Sequence, residues 1–426
     1  METSGRSRLV THCRVCGAAD WQEVVSFGSV PLANAFLDPA TSYEDEARFP
    51  LGVISCRSCR LMSLTHVVDP EVMYRTYFYV TSDSESITRH MRYVAQTCTS
   101  RFALGEDELV VEMGSNTGAQ LLAFRPGGQR VLGVDPALNL AATANAHGVL
   151  TLPEYFSDRT AARIRNGHGQ ARLILGRHVF AHVDDLADVA AGVRRLLARD
   201  GVFAIEVPYA LDLVERVAFD TVYHEHLSYF LVGTLAELFD RHGLRLFDVE
   251  RLPVHGGSIL AFVGLREGPW EQQGSVAELF AAEQAAGLHQ DAAYGEFAHK
   301  VARVRQELPR LVRGLVAQGA RVAGYGASAK GTTLLNICGI GADELQFCSD
   351  TTVLKQGKVL PGTHVPVCSP QSAAAEPPDY YLLLAWNYAD EILEKERRFL
   401  DNGGRFILPV PEPVVLSAGA RATTPT

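Results

Sequence analysis

The chain has 426 residues, too many for one ordinary domain, and its 47% hydrophobic and 21% charged content is that of a soluble globular protein with two or three cores. Its 39 basic against 49 acidic residues leave a net charge of −10, which argues against a phosphate-backbone footprint and so against nucleic acid as a partner. No apolar run reaches membrane-spanning length and the first ten residues are polar, so a cytoplasmic protein without a membrane partner is expected.

In a reducing compartment the eight cysteines serve metal binding or packing rather than disulfides. Cys13-x-x-Cys16 and Cys56-x-x-Cys59 are two knuckles of the kind that wrap a tetrahedral Zn²⁺ in thiolate. The 39 residues between them must pair to bring the knuckles together, and the competing reading is a pair of redox dithiols. A four-thiolate site leaves no open position for water, so the zinc is expected to be structural. Cys98, Cys338, Cys348 and Cys368 are scattered and read as small apolar residues. Tyr77 and Tyr79 follow, leading into a hydroxyl-rich loop over 81–86; packing at a domain edge and a phenol beside a reacting oxygen are both open there.

Residues 109–113 read as a buried strand, followed by Gly114-Ser115-Asn116-Thr117-Gly118 and a helical run to Phe124. The pattern Glu112-x-Gly114-x-x-x-Gly118 places a carboxylate at a strand end and glycines where backbone must approach a ligand. A second strand over 131–135 ends in Asp135-Pro136, an acid suited to the hydroxyls of a ribose. A dinucleotide needs a second glycine so that its pyrophosphate can reach the helix N-terminus. Because that glycine is missing, S-adenosylmethionine is the favoured cofactor. Strands over 171–175 and 201–207 alternate with a helix over 183–197, as in a doubly wound α/β sheet, whose ligand crevice lies beyond the strand ends. Arg177, His178 and His182 follow one strand and Tyr209 the next, so all are expected on the cofactor side; His182 has a second reading as a helix cap.

The ten residues 221–230 concentrate Tyr223, His224, Glu225, His226 and Tyr229, where proton-transfer chemistry is most cheaply assembled. A zinc site is the rival, but His-x-Glu-x-x-x lacks the i, i+4 histidine pair of a helical site. A solvated polar loop is the bland alternative. Strands over 244–249 and 258–263 close the sheet around His255-Gly256-Gly257. Residues 271–318 read as amphipathic helix broken at Pro309. A second Rossmann-like unit begins at Arg321, with an anion-binding turn built from free backbone N–H groups, Ser328 and Lys330. Asp350 ends its next strand and Lys358 lies in a basic loop over 355–363. The expected organisation is α/β throughout: a zinc-binding module over 1–75, a methyltransferase domain over 76–270, a helical connector over 271–318, a Rossmann-like domain over 319–411 and a tail over 412–426.

The two knuckles, VVEMGSNTG, LGRHVFAH, TVYHEHLSYF, LPVHGGS and YGASAKGTTLLN, in this order, closely resemble the nucleotide-sugar C-methyltransferases of deoxysugar biosynthesis. These are the 3-C-methyltransferases that build tetronitrose, kijanose, vancosamine and mycarose, and the resemblance runs from Cys13 to about Pro411. It implies a middle domain that binds S-adenosylmethionine and a C-terminal domain that helps hold a thymidine-diphosphate 4-keto sugar. It also implies active-site positions at His226, Tyr223, Glu225, Tyr77 and His182. Glu112, Gly114, Ser115, Asn116, Gly118, Asp135, Pro136 and His178 are the expected cofactor residues. Arg177, Tyr79, Tyr209, His255, Ser328, Lys330, Asp350 and Lys358 are the expected substrate residues. A carbon beside a ketone becomes nucleophilic once its proton is removed and the enolate oxygen is stabilised. His226 is the candidate base, Glu225 or His182 its orienter or proton relay, and Tyr223 and Tyr77 donors to the oxyanion. Methylation at C-5 or on oxygen, RNA methylation and a binding module without chemistry are the competing readings. A monomer is expected.

Overall fold

In the computed structural model, residues 6–74 and 85–419 are described, and they form three principal sheets. Tyr77 and Tyr79 lie outside the described residues.

The central sheet has seven strands: Leu109–Met113, Arg130–Val134, Thr151–Leu152, Ala171–Arg177, Leu197–Pro208, Leu244–Leu252 and Ser258–Leu265. Numbered in chain order they lie as 3-2-1-4-5-7-6, all parallel except the seventh, which is antiparallel to both neighbours. All five residues of Leu109–Met113 are buried, because both faces of a central parallel strand are covered; four are apolar, and Glu112 is a buried carboxylate near the strand's end. The strand order reverses between Leu109–Met113 and Ala171–Arg177. The crevice at that switch point opens beyond Met113 and Arg177.

The C-terminal sheet repeats the device. Its six strands, Val322–Tyr325, Cys348–Ser349, Val367–Cys368, Tyr380–Leu383, Arg405–Leu408 and Val414–Leu416, lie as 3-2-1-4-5-6 with only the last antiparallel. Its switch point falls between Val322–Tyr325 and Tyr380–Leu383 and is turned toward the central sheet: Lys330 Nζ donates to His255 O at 2.6 Å, and Trp386 Nε1 donates to Asp220 Oδ2 at 2.5 Å.

A four-stranded antiparallel sheet carries the knuckles, in the order Ser228–Tyr229, Met62–Leu64, Arg48–Cys56, Trp21–Pro31. Its edge strand comes from the 221–230 stretch, so residues far apart in sequence complete the N-terminal module.

The helices between the larger sheets depart from the reading of the sequence in two places. The amphipathic segment breaks not at Pro309 but between the helices Gly274–Ala285 and Asp291–Ala317, at Gly287, whose φ of +73° suits a glycine. Tyr294, Phe297, Val301, Val304, Leu308 and Val312 form one buried stripe that continues past Pro309, and this packing outweighs the hydrogen bond the proline removes. The helix expected over 183–197 is Leu186–Leu196, and Asp185 rather than His182 caps it, accepting from Asp188 N. Among the described residues no helix is long and apolar enough to cross a membrane.

Candidate active site

At the central switch point lies a cavity of about 590 Å³, lined among others by Glu112, Gly114, Ser115, Asn116, Asp135, Pro136, Arg177, His178, His182 and His255. Its size is in the range of small-molecule sites. Gly114, at φ +64°, has no room for a side chain: a Cβ there would come within 2.6 Å of Val179. Asp135 accepts from Asn116 N at 2.8 Å and from Ala137 N at 2.9 Å, which fixes its carboxylate at the second strand end. Three buried atoms on this cavity, Glu112 Oε2, Ser115 Oγ and His182 Nε2, have no hydrogen-bond partner among the described residues. Native interiors rarely leave such groups unpaired, so they mark where a polar ligand docks. Burial raises the Glu112 carboxyl to about 8, against the opposing pull of Arg177.

Glu206, fully buried on the strand Leu197–Pro208, does not line the cavity but anchors Arg177 and His178, which do. Its two oxygens accept from His90 Nε2, Arg177 Nε at 3.0 Å and His178 Nε2 at 2.8 Å. Burial alone would raise its pKa, but the charges of His178 and Arg177 hold it well below the usual carboxylate range. His178 and His255 both adopt left-handed backbone, with φ of +52° and +55°, and their rings meet edge-on at 4.4 Å. Such strain in non-glycine residues persists only where the surroundings enforce it.

His226 Nδ1 lies 2.9 Å from Thr221 O, so that nitrogen carries the proton and donates. Nε2 is then the acceptor, and Tyr223 Oη donates to it at 2.8 Å. The His182 ring stands 5.1 Å from that of His226 and links the pair to the cavity, which neither Tyr223 nor His226 lines. Burial, reinforced by His182, keeps the His226 pKa well below 6.5; burial and His178 bring His182 down to about 4. Both imidazoles are therefore neutral at physiological pH. His224 points elsewhere, with Nε2 3.3 Å from Phe49 O, so the two histidines do not share a metal. Glu225 does not orient His226: its Oε1 accepts from Asn34 Nδ2 at 2.6 Å, and the orienting acceptor is the Thr221 carbonyl.

Cys13, Cys16, Cys56 and Cys59 place their four sulfurs within 4.8 Å of one another, with Cys13–Cys59 at 3.4 Å and Cys16–Cys56 at 3.5 Å. A Zn²⁺ with bonds of about 2.3 Å has tetrahedral edges of about 3.8 Å, so the donor set fits the ion.

Residues 13–74 match a zinc binding domain family, 87–249 a methyltransferase domain family, and 253–411 a family described as C-methyltransferase C-terminal domain. The C-methyltransferase NovU of Streptomyces niveus is 52% identical over 411 residues, covering 96% of this chain and 98% of the relative. The chain belongs to the C-methyltransferase family. It is accordingly an S-adenosylmethionine-dependent methyltransferase with a zinc-binding N-terminal domain. Among solved structures, the PH0226 protein of Pyrococcus horikoshii is 14% identical, with a TM-score of 0.34 over 45% of this chain and 97% of its own. The 1,6-didemethyltoxoflavin-N1-methyltransferase of Burkholderia thailandensis is 20% identical, with a TM-score of 0.32 over 43% and 81%.

Several expected site residues of this C-methyltransferase are engaged internally. Tyr209 does not face the cavity: it is fully buried, and its hydroxyl donates to Glu283 Oε1 at 2.8 Å. Glu283 in turn accepts from Val232 N and Gly233 N at the start of the helix Val232–Arg241. The anion-binding turn of the C-terminal sheet is satisfied by the chain itself. Ser328 Oγ accepts from Gly331 N, Asp350 Oδ2 accepts from Ala327 N at 2.7 Å, and Lys330 is turned to His255 O. Asp350 also accepts from Thr352 N, so its carboxylate is held as Asp135 is, by the turn after the first strand and by its own i+2 amide. Lys358 lies in the loop that returns to Val367–Cys368, its carbonyl accepting from Val367 N. Glu206 and Thr221 escaped the sequence reading. The one signal for Glu206 was a lone carboxylate inside the otherwise apolar FAIEVP.

Proposed function

We propose that this enzyme methylates C-3 of a thymidine-diphosphate-linked 4-keto-2,6-dideoxyhexose, with or without a 3-amino group, through an enolate, in antibiotic deoxysugar biosynthesis. One observation carries the reading: a neutral imidazole, its Nδ1–H tied to Thr221 O and its Nε2 bonded to the Tyr223 phenol, stands next to His182 on the cofactor cavity. A C-methyltransferase must make a carbon nucleophilic, and an α-keto C–H beside such a pair is the substrate that needs it.

The C-3 proton leaves to His226 Nε2, directly or through the Tyr223 hydroxyl, while the C–H electron pair forms the C-3=C-4 bond and charge moves onto the C-4 oxygen. Tyr223, with Tyr77, hydrogen-bonds that oxygen. His226 accepts the proton at modest cost because the resulting imidazolium still donates to Thr221 O. The bound cofactor supplies an electrophilic methyl on sulfur. Glu112, Ser115, Asn116, Asp135 and His182 hold that cofactor against the crevice, and this positioning at near-attack distance provides much of the rate. Arg177, His178 and His255 border the acceptor in this reading, and Tyr79 keeps the substrate role expected of it from the sequence. The nucleotide is held by the C-terminal domain through Asp350 and Lys358; the carboxylate geometry shared with Asp135 supports a nucleoside there.

Replacing His226 by Asn is expected to abolish turnover while leaving cofactor affinity within about twofold, as expected for a group acting only in the chemical step. Steady-state kinetics with calorimetric titration of S-adenosylmethionine check this, and a His226→Asn enzyme that still turns over removes the residue from the base role.

A further inference from the structure

Arg14 sits inside the first knuckle, between Cys13 and Cys16, yet its side chain is only 5% exposed. Nε donates to Asp184 Oδ1 at 3.0 Å; Nη1 donates to Ser63 Oγ at 2.5 Å and lies 3.4 Å from Leu227 O. Asp184 stands two residues beyond His182, Leu227 directly follows His226, and Ser63 pairs with Ser228 across the sheet. One planar fork therefore spans the segments that carry the two imidazoles, with a geometry that an ammonium cannot reproduce.

The other restraints on these segments are unequal. Leu227 O also accepts from Leu64 N at 3.1 Å, so the His226 segment stays paired to the zinc-module sheet without Arg14. Among the described residues Asp184 has only Arg8 besides as a charged partner, and that pair is 59% and 38% exposed, a kind of contact that contributes little. Loss of Arg14 loosens the Asp184 end of the His182 segment, whose other end stays anchored by buried Phe180 and Ala181, while the sheet stays closed and the partly exposed Asp184 carboxylate remains hydrated.

We propose that Arg14 is a positioning residue for methyl transfer, setting from the zinc-binding knuckle the separation of the segments that hold His182 and His226. The inference rests on the reading that these imidazoles flank the reacting centre.

The test uses the full zinc-loaded chain with Arg14→Met and Arg14→Lys, and His226→Asn alongside. Zinc content and S-adenosylmethionine Kd are expected within about twofold of wild type, while kcat of Arg14→Met falls on the order of a hundredfold, as misplacement near 1 Å does. Arg14→Lys recovers part of this, since a lysine reaches Asp184 but does not span both segments. Wild-type kcat in Arg14→Met, or a fall matched by loss of zinc or cofactor affinity, overturns the proposal. A His226→Asn enzyme with full turnover instead defeats the underlying reading. Independently of turnover, ¹⁵N-histidine spectra of Arg14→Met should show shifted His182 and His226 signals; spectra identical to wild type contradict the positioning role.

Discussion

His226, which is buried, and His182 and His255, which are half-buried, are titratable groups held neutral, and their titration is predictable. Burial lowers all three, His182 to about 4 and the other two well below 6.5. In the unfolded chain each takes up a proton near pH 6.5, whereas in the fold it does not. The stability these residues contribute is thus complete above about pH 6.5 and declines as pH falls below it, each adding up to about 1.4 kcal/mol per pH unit to the slope. Chemical denaturation between pH 7.5 and about pH 5 is expected to show this acid-side fall, and the acid limb of kcat/KM should lie below the imidazole range rather than at 6.5. A limb at 6.5 means that an exposed histidine, not His226, is the base. Tyr209 gives the contrasting case. Neither Tyr209 nor its partner Glu283 lines the cavity, so Tyr209→Phe should lower unfolding free energy by about 1 kcal/mol and leave kcat unchanged. Sequence placed Tyr209 after the right strand, but the direction of a side chain at a strand end is decided by what packs there, here the helix Gly274–Ala285.

Elements that read clearly in the sequence were those whose own residues fix them. The strand Leu109–Met113 is apolar except for Glu112 and coincides with its expected span, and the CxxC pairs brought four sulfurs together as the spacing required. What escaped was long-range: the pairing of Ser228–Tyr229 with Met62–Leu64 joins residues separated by five of the central sheet's seven strands, and no local pattern announces it. That pairing makes the zinc-binding module part of the active site's support. Chelation of Zn²⁺ should loosen the sheet carrying Ser228–Tyr229 and so abolish methyl transfer, although the metal touches no reacting atom. Activity and far-UV circular dichroism followed during titration with a chelator check this; full activity in metal-free protein shows the sheet to be independent of the ion.

At the scale of the molecule, two doubly wound sheets present their switch-point crevices to one another, joined by Lys330 to His255 O and Trp386 to Asp220. The repeat of Rossmann-like order was legible from alternating strands and helices. Its consequence, that the second turn is closed by its own Ser328 and Asp350, was not, because a helix N-terminus looks the same in sequence whether its amides face a ligand or the chain. In the proposed reading a long substrate lays its nucleotide on one sheet and its reacting carbon at the other. The most direct test of that account is to incubate the zinc-loaded enzyme with S-adenosylmethionine and thymidine-diphosphate sugars in D₂O, followed by mass spectrometry and NMR. Methylation at C-3 of 4-keto sugars alone, with exchange of the C-3 proton for deuterium when the cofactor is omitted, is the predicted result. Methylation of a sugar without a ketone, or at an oxygen, contradicts it.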